Sequence, residues 1–195
     1  MLADNALMGK QKITTAHRIL FLICFLGDVL GGTVSTLVSN YLPEVVRDLH
    51  LTTDNAAQVR IGAYINAVFI FGWTLGGFMW GLFSDRAGRK KALVLAIICN
   101  SLFTLFTAAM QTWWSIVACR FMSGFGVGGV LVISITMLSE SWPAKSRSIF
   151  IGILSIAFPV GIFSTGLLTF NIPFWRTAFV ITGVLPLLTA LAALW

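Results

Sequence analysis

Six long apolar stretches, separated by short polar or charged breaks, set the pattern of this chain. They run from about Ile19 to Leu42, Ile61 to Ser84, Ala92 to Met110, Trp114 to Ser139, Ile149 to Phe170 and Thr177 to Trp195. Each holds about 19 to 26 residues, enough at 1.5 Å per residue to cross a hydrocarbon core of about 30 Å. Backbone groups in lipid must pair within their own segment, which makes each stretch a helix. Polar connections fill Pro43 to Arg60, Asp85 to Lys91 and Glu140 to Ser148, and tight turns occupy Gln111-Thr112 and Asn171 to Arg176. Trp113 and Trp114 fall where aromatic residues anchor a helix at the membrane interface. The pattern predicts an all-α membrane protein, with a tail of residues 1–18 and one six-span domain over 19–195.

Composition agrees with lipid as the solvent. Charged residues are 10% and hydrophobic residues 57% of the chain, whereas soluble domains carry about 25% charged residues. The formal net charge is +6, yet the basic residues form no stripe or tail that would track a phosphate backbone, so nucleic acid is excluded as a partner. They gather instead on alternate connections. Lys10, Lys12, Arg18, Arg86, Arg89, Lys90, Lys91, Lys145 and Arg147 lie on one side, against Arg47, Arg60 and Arg176 on the other. That bias predicts a cytoplasmic N-terminus in a multi-pass protein of the plasma or inner membrane.

The three cysteines, Cys24, Cys99 and Cys119, stand inside apolar stretches and read as small hydrophobes, with no spacing suited to a metal. The first stretch is too long for a signal peptide. Its last counterpart ends on Trp195 without a polar flank, which predicts a cut at a domain boundary. His17 and His50 lie at span edges or beyond, and no paired acids or Ser/His dyad stands at lipid depth. An enzyme is therefore not expected, nor is a cofactor.

The most specific local pattern is Gly81-Leu82-Phe83-Ser84-Asp85-Arg86-Ala87-Gly88-Arg89-Lys90-Lys91. Gly77 and Gly81 make a small-xxx-small pair suited to close helix approach, and Gly88 can take the positive φ of a very short turn. Asp85 can cap a helix or accept hydrogen bonds from nearby arginines. Span four carries Arg120-Phe121-Met122-Ser123-Gly124-Phe125-Gly126, and the next connection Glu140-Ser141-Trp142-Pro143-Ala144-Lys145-Ser146-Arg147. Glu140 and Arg147 could bridge to Arg86, Arg89 or Lys90 as a reversible latch, or serve only topology and solvation.

These three stretches, with Trp175-Arg176, resemble signatures of the major facilitator superfamily of secondary transporters, in particular its sugar-porter and organic-acid branches. The resemblance covers essentially the whole chain. It implies the first six-helix half of a twelve-span transporter, itself built as a 3+3 inverted repeat, and a second half from the same or another chain. It also implies that Asp85 contacts a helix of that second half. The expected activity is transport of a small organic solute, a sugar, carboxylate or related metabolite, by alternating access and coupled to protons. The alternative is a non-transporting subunit or truncated remnant.

Asp28 lies about ten residues into span one, and an acid at that depth is a functional candidate. Arg120 lies about seven residues into span four from the opposite face. The family fold sets the two helices side by side, so Arg120 is expected to reach Asp28. The pair would couple protons, or it would be a static ion pair that fixes helix register. Thr33, Thr36, Asn40, Asn66, Asn100 and Ser164 are polar at lipid depth and are candidates to touch solute, or to bond between helices. Trp73, Trp80 and Phe158 could line a cavity or simply pack. Pro159 is expected to kink span five, and its surroundings lack the Gly-Pro pattern of antiporters, which favours symport or facilitated transport.

Overall fold

The structure is a computed structural model and describes residues 13–49 and 54–194. The candidates Lys10, Lys12 and His50 lie outside the described residues. Six helices follow one another: α1 (Thr15–Asp48), α2 (Asn55–Ala87), α3 (Arg89–Ala109), α4 (Trp113–Ser141), α5 (Arg147–Asn171) and α6 (Trp175–Leu194). All six are long and apolar enough to cross a membrane.

The helices overrun the apolar stretches that predict them. Pro43 does not begin a connection; α1 continues through it to Asp48. Proline removes one backbone donor, but Val45 and Val46 beyond the apolar run are still buried, and that packing holds the extra turns. α2 likewise starts at Asn55 rather than Ile61, because the Asp54 side chain accepts from the amides of Ala56 and Ala57. Asp85 to Lys91 is not a loop. α2 runs to Ala87 and α3 starts at Arg89, so Gly88 alone turns the chain, at φ 95°. Space is open around a Cβ at Gly88, so Gly88→Ala tests backbone conformation alone. A loss of about 1 kcal/mol is expected from the left-handed cost, read as a drop in melting temperature in detergent.

α1 and α4 lie side by side; α5 rests on α1 and α2 on α4, while α3 and α6 pack on each other behind them. Exchanging helices one to three with four to six leaves this pattern unchanged, as an inverted repeat requires. The contacts show it residue by residue. A Cβ on Gly32 of α1 would lie 2.2 Å from the Phe158 carbonyl oxygen of α5, and one on Gly128 of α4 would lie 2.1 Å from that of Trp73 on α2. Gly161 meets the Val29 carbonyl as Gly76 meets that of Phe125. Trp73 and Phe158, the two equivalent partners, stack on each other with centroids 5.1 Å apart, at the crossing of the two repeats.

Backbone thus touches backbone at both interfaces. Gly81 takes no part in this: its nearest neighbour, Val132, would be 3.8 Å from a Cβ, an ordinary contact. α2 and α5 are the least buried helices and present Phe71, Phe78 and Met79, and Ile156, Phe163 and Phe170, outward. Apolar faces of that size suit lipid or another helical bundle, not water.

Candidate functional site

The bundle interior holds the two charges singled out in the sequence, and it does not bring them together. Arg120 on α4 is 0% exposed and Asp28 on α1 is 2% exposed. Arg120 Nη2 donates to the Val34 carbonyl oxygen at 2.7 Å. Its guanidinium lies over the Phe69 ring of α2, 4.5 Å from the centroid, and 5.9 Å from that of Phe179 on α6. Val34 is six residues beyond Asp28, which places the arginine head about 9 Å farther along the α1 axis. Adjacent helices do not fix register, and here the register separates acid from base. Val34, Val127 and Phe69, with Trp73, Leu131 and Phe158 against them, form a distinct apolar cluster at the crossing of α1, α2, α4 and α5.

Each charge is left underpaired. Asp28 Oδ1 and Arg120 Nε and Nη1 are buried without a hydrogen-bond partner. The Ser134 hydroxyl of α4 is the polar group beside Asp28. A buried charge without a counter-charge is costly, so both side chains occupy positions that packing alone would give to apolar residues.

The polar candidates divide by burial. Thr33 is buried and donates to the carbonyl oxygens of Val29 and Gly161, at 3.0 and 3.1 Å, which ties α1 to α5. Asn100 is buried where α3 meets α4 and accepts from Thr104 Oγ1. Asn66 donates to Ser39 at 2.7 Å, across α1 and α2. Ser164 returns its hydroxyl to Val160 of its own helix. Thr36 donates to Thr165 and, with Asn40, Ile162, Phe163, Gly166 and Leu167, lines an open groove of about 340 Å³ between α1 and α5. Its counterpart between α2 and α4, about 480 Å³, is lined by Ile70, Trp73, Thr74, Gly77, Phe78 and Val132. Thr36 and Asn40 are therefore the polar candidates that reach an accessible groove; Thr74, missed in the sequence, is the hydroxyl of the second.

Call the end where α1 begins the near end. There Arg89 gathers the motif. Its Nη2 is 2.7 Å from Asp85 and 2.9 Å from Glu140, its Nε donates to Glu140 at 3.2 Å, and its Nη1 donates to Ser84. Arg86 is exposed. Arg147 does not join this network: its Nε donates to the Trp142 carbonyl oxygen at 3.3 Å, because the turn after α4 folds back onto Trp142. Trp142 is itself packed against His17, Phe21 and Phe150. Neutralising Glu140 as Glu140→Gln is expected to lower stability by no more than about 1 kcal/mol, since the group is half exposed. A thermal shift of only a few degrees in detergent would agree.

Comparison with known proteins places this geometry. Residues 20–195 match the Major Facilitator Superfamily. A Haemophilus influenzae protein named for metabolite transport is 30% identical over 167 residues, covering 84% of this chain and 39% of its own. The 4-hydroxybenzoate transporter PcaK of Pseudomonas aeruginosa is 28% identical over 193 residues, 97% of this chain and 42% of its own. The solved proton:xylose symporter XylE superposes with a TM-score of 0.82 at 19% identity, over 90% of this chain and 44% of its own, which is a likeness of fold. The chain spans less than half the length of each of these proteins. Six membrane-crossing helices, the inverted repeat and this match lead to one assignment: the chain belongs to the Major Facilitator Superfamily.

Proposed function

We propose that this chain is the first six-helix half of a secondary transporter that moves a small organic solute by alternating access, driven by protons, with the near end in the cytoplasm. In this reading residues 1–18 form the cytoplasmic tail and 19–195 the membrane half, and a second six-helix half lies against α2 and α5. The observation that carries the reading is Asp28, a carboxylate 2% exposed with one oxygen unpartnered and, among the described residues, no ion pair to a base. Protonation removes the charge that burial penalises. A group whose two protonation states suit two different surroundings can bias a two-state bundle.

Arg120 acts separately in this cycle. Held by Val34 and two rings, it keeps two donors free for a group that enters when the bundle rearranges. Asp28 and Arg120 thus form a coupling pair across an apolar layer rather than an ion pair. Thr36, Asn40 and Thr74 are the polar groups offered to solute along the grooves, and the apolar linings favour a solute with an apolar face. Two relatives are named for a carboxylate and a sugar, which sets the range for a first screen.

The test is uptake into proteoliposomes that hold this half with its second half, using labelled aromatic acids and pentoses, with and without an inward proton gradient. Accumulation that rises with the gradient is expected for at least one solute. Uptake that ignores the gradient for every solute would remove proton coupling, and the absence of any uptake would remove transport.

A further inference from the structure

The two ends of the bundle are closed by the same construction. At the near end Arg89, the first residue of α3, binds Glu140 in the last turn of α4. At the far end Arg176, the second residue of α6, binds Asp48, the last residue of α1, through Nη2 at 2.9 Å and Nε at 3.2 Å. Exchange α1 for α4 and α3 for α6, and the same helix ends are joined, with Glu140 falling one turn before Asp48, at Glu44. The glycine contacts impose the same exchange of helices, so the joined helix ends correspond through the repeat, while the acid of the far clamp sits one turn farther along.

The far clamp is also built up on its own account. Arg176 Nη1 donates to the Ala108 carbonyl oxygen of α3 at 2.8 Å, and its guanidinium sits 4.5 Å from the Trp175 ring centroid. Trp175 Nε1 donates to the same Asp48 oxygen at 3.2 Å. One carboxylate therefore ties the ends of α1 and α6, and one guanidinium adds α3. Beside them lies an open cavity of about 480 Å³, bordered by Glu44, Arg47 and Phe174, which gives these helix ends room to move.

We propose that Arg176 and Asp48 form a second conformational clamp, the far-side counterpart of the near-side motif, which favours the state closed on the far side. The inference rests on the alternating-access reading. The Arg176 and Asp48 side chains are 40% and 46% exposed. A pair that open to water is a reversible bias, good for a few-fold change in population, and not a lock. The near clamp, with Glu140 at 53%, is likewise open to water and opposite in effect.

The test uses the full transporter with Asn40→Cys as reporter, because Asn40 lines the far-side half of the α1–α5 groove. Cys24 and Cys119 are buried and Cys99 is half-buried, so they compete little for a membrane-impermeant maleimide added from the far side. Asp48→Asn is expected to raise the labelling rate about two- to fivefold, and Glu140→Gln to lower it. The charge swap Asp48→Arg with Arg176→Asp should return labelling towards the wild-type rate. Trp175→Phe keeps the ring and removes one donor, so it gives a milder rise if Asp48→Asn expresses poorly. Unmoved labelling, a shift in the same direction for Asp48→Asn and Glu140→Gln, or a swap that restores nothing overturns the proposal. Solute uptake by the full transporter without the reporter substitution separates the two readings: no uptake rejects transport itself, while uptake with unmoved labelling rejects only the clamp.

Discussion

Gly161→Ala is expected to cost this protein most of its folded yield. A methyl group there would stand 1.9 Å from the Val29 carbonyl oxygen and 2.8 Å from the Thr33 amide nitrogen. Both are backbone atoms of α1, so no side chain can turn aside, and the two helices must part along their length. Overpacking of a tight interior costs about 1–3 kcal/mol even where side chains give way, and the upper end applies here. Gly76→Ala, 2.0 Å from the Phe125 carbonyl oxygen, should behave alike at the equivalent interface. Gly152→Ala and Gly166→Ala, with nothing within 4 Å, are the controls on the same helix as Gly161. Melting curves and monodisperse yield in detergent decide the matter; Gly161→Ala melting within a degree or two of Gly152→Ala would refute it.

The largest functional effect is expected from Asp28→Asn. Asparagine keeps the shape of the acid and mimics its protonated form at every pH. Gradient-driven accumulation of solute should fall at least about tenfold, while counterflow without a gradient survives, since losing a general proton-transfer group typically costs a factor of about 100 or more. Accumulation at the wild-type level would sink the coupling role. Because Arg120 stands about 9 Å along the axis from Asp28, combining Asp28→Asn with Arg120→Met should give stability losses that add to within about 0.5 kcal/mol. A larger interaction energy would mean that the two charges meet after all. Arg120→Lys is no conservative control, because a lysine ammonium lacks the planar face that lies over Phe69.

The six helices were legible because lipid admits few alternatives: an apolar run of the right length has to be helical. Their ends were less so. Pro43 looks like a stop, yet Val45 and Val46 are buried two and three residues later by helices far away in sequence. The near-side motif was readable as a unit, and Glu140 does meet Arg89. Arg147, in contrast, turns to a carbonyl that only the folded connection after α4 brings close.

Asp28 and Arg120 were visible as expensive residues, but their separation was not, since helix adjacency leaves register open. The repeat was hidden for a related reason. Gly32 and Gly128, or Gly161 and Gly76, are equivalent through the carbonyl each one meets, and the flanking matches, such as Phe78 with Phe163, are too few to show it without that register. Gly81, conspicuous in the motif, bears little of the packing.

The clamps also run against the electric sense of their own helices. Glu140 and Asp48 stand in the last turns of α4 and α1, where a helix dipole presents its negative end, and Arg89 and Arg176 stand in the first turns of α3 and α6, at the positive end. Each charge is ill-placed on the helix that carries it and well placed for the neighbour that it touches. A helix end sliding away from its neighbour would therefore lose an ion pair and expose two unfavourable dipole contacts at once. In helix ends wired this way, a small displacement is at once a change in charge pairing.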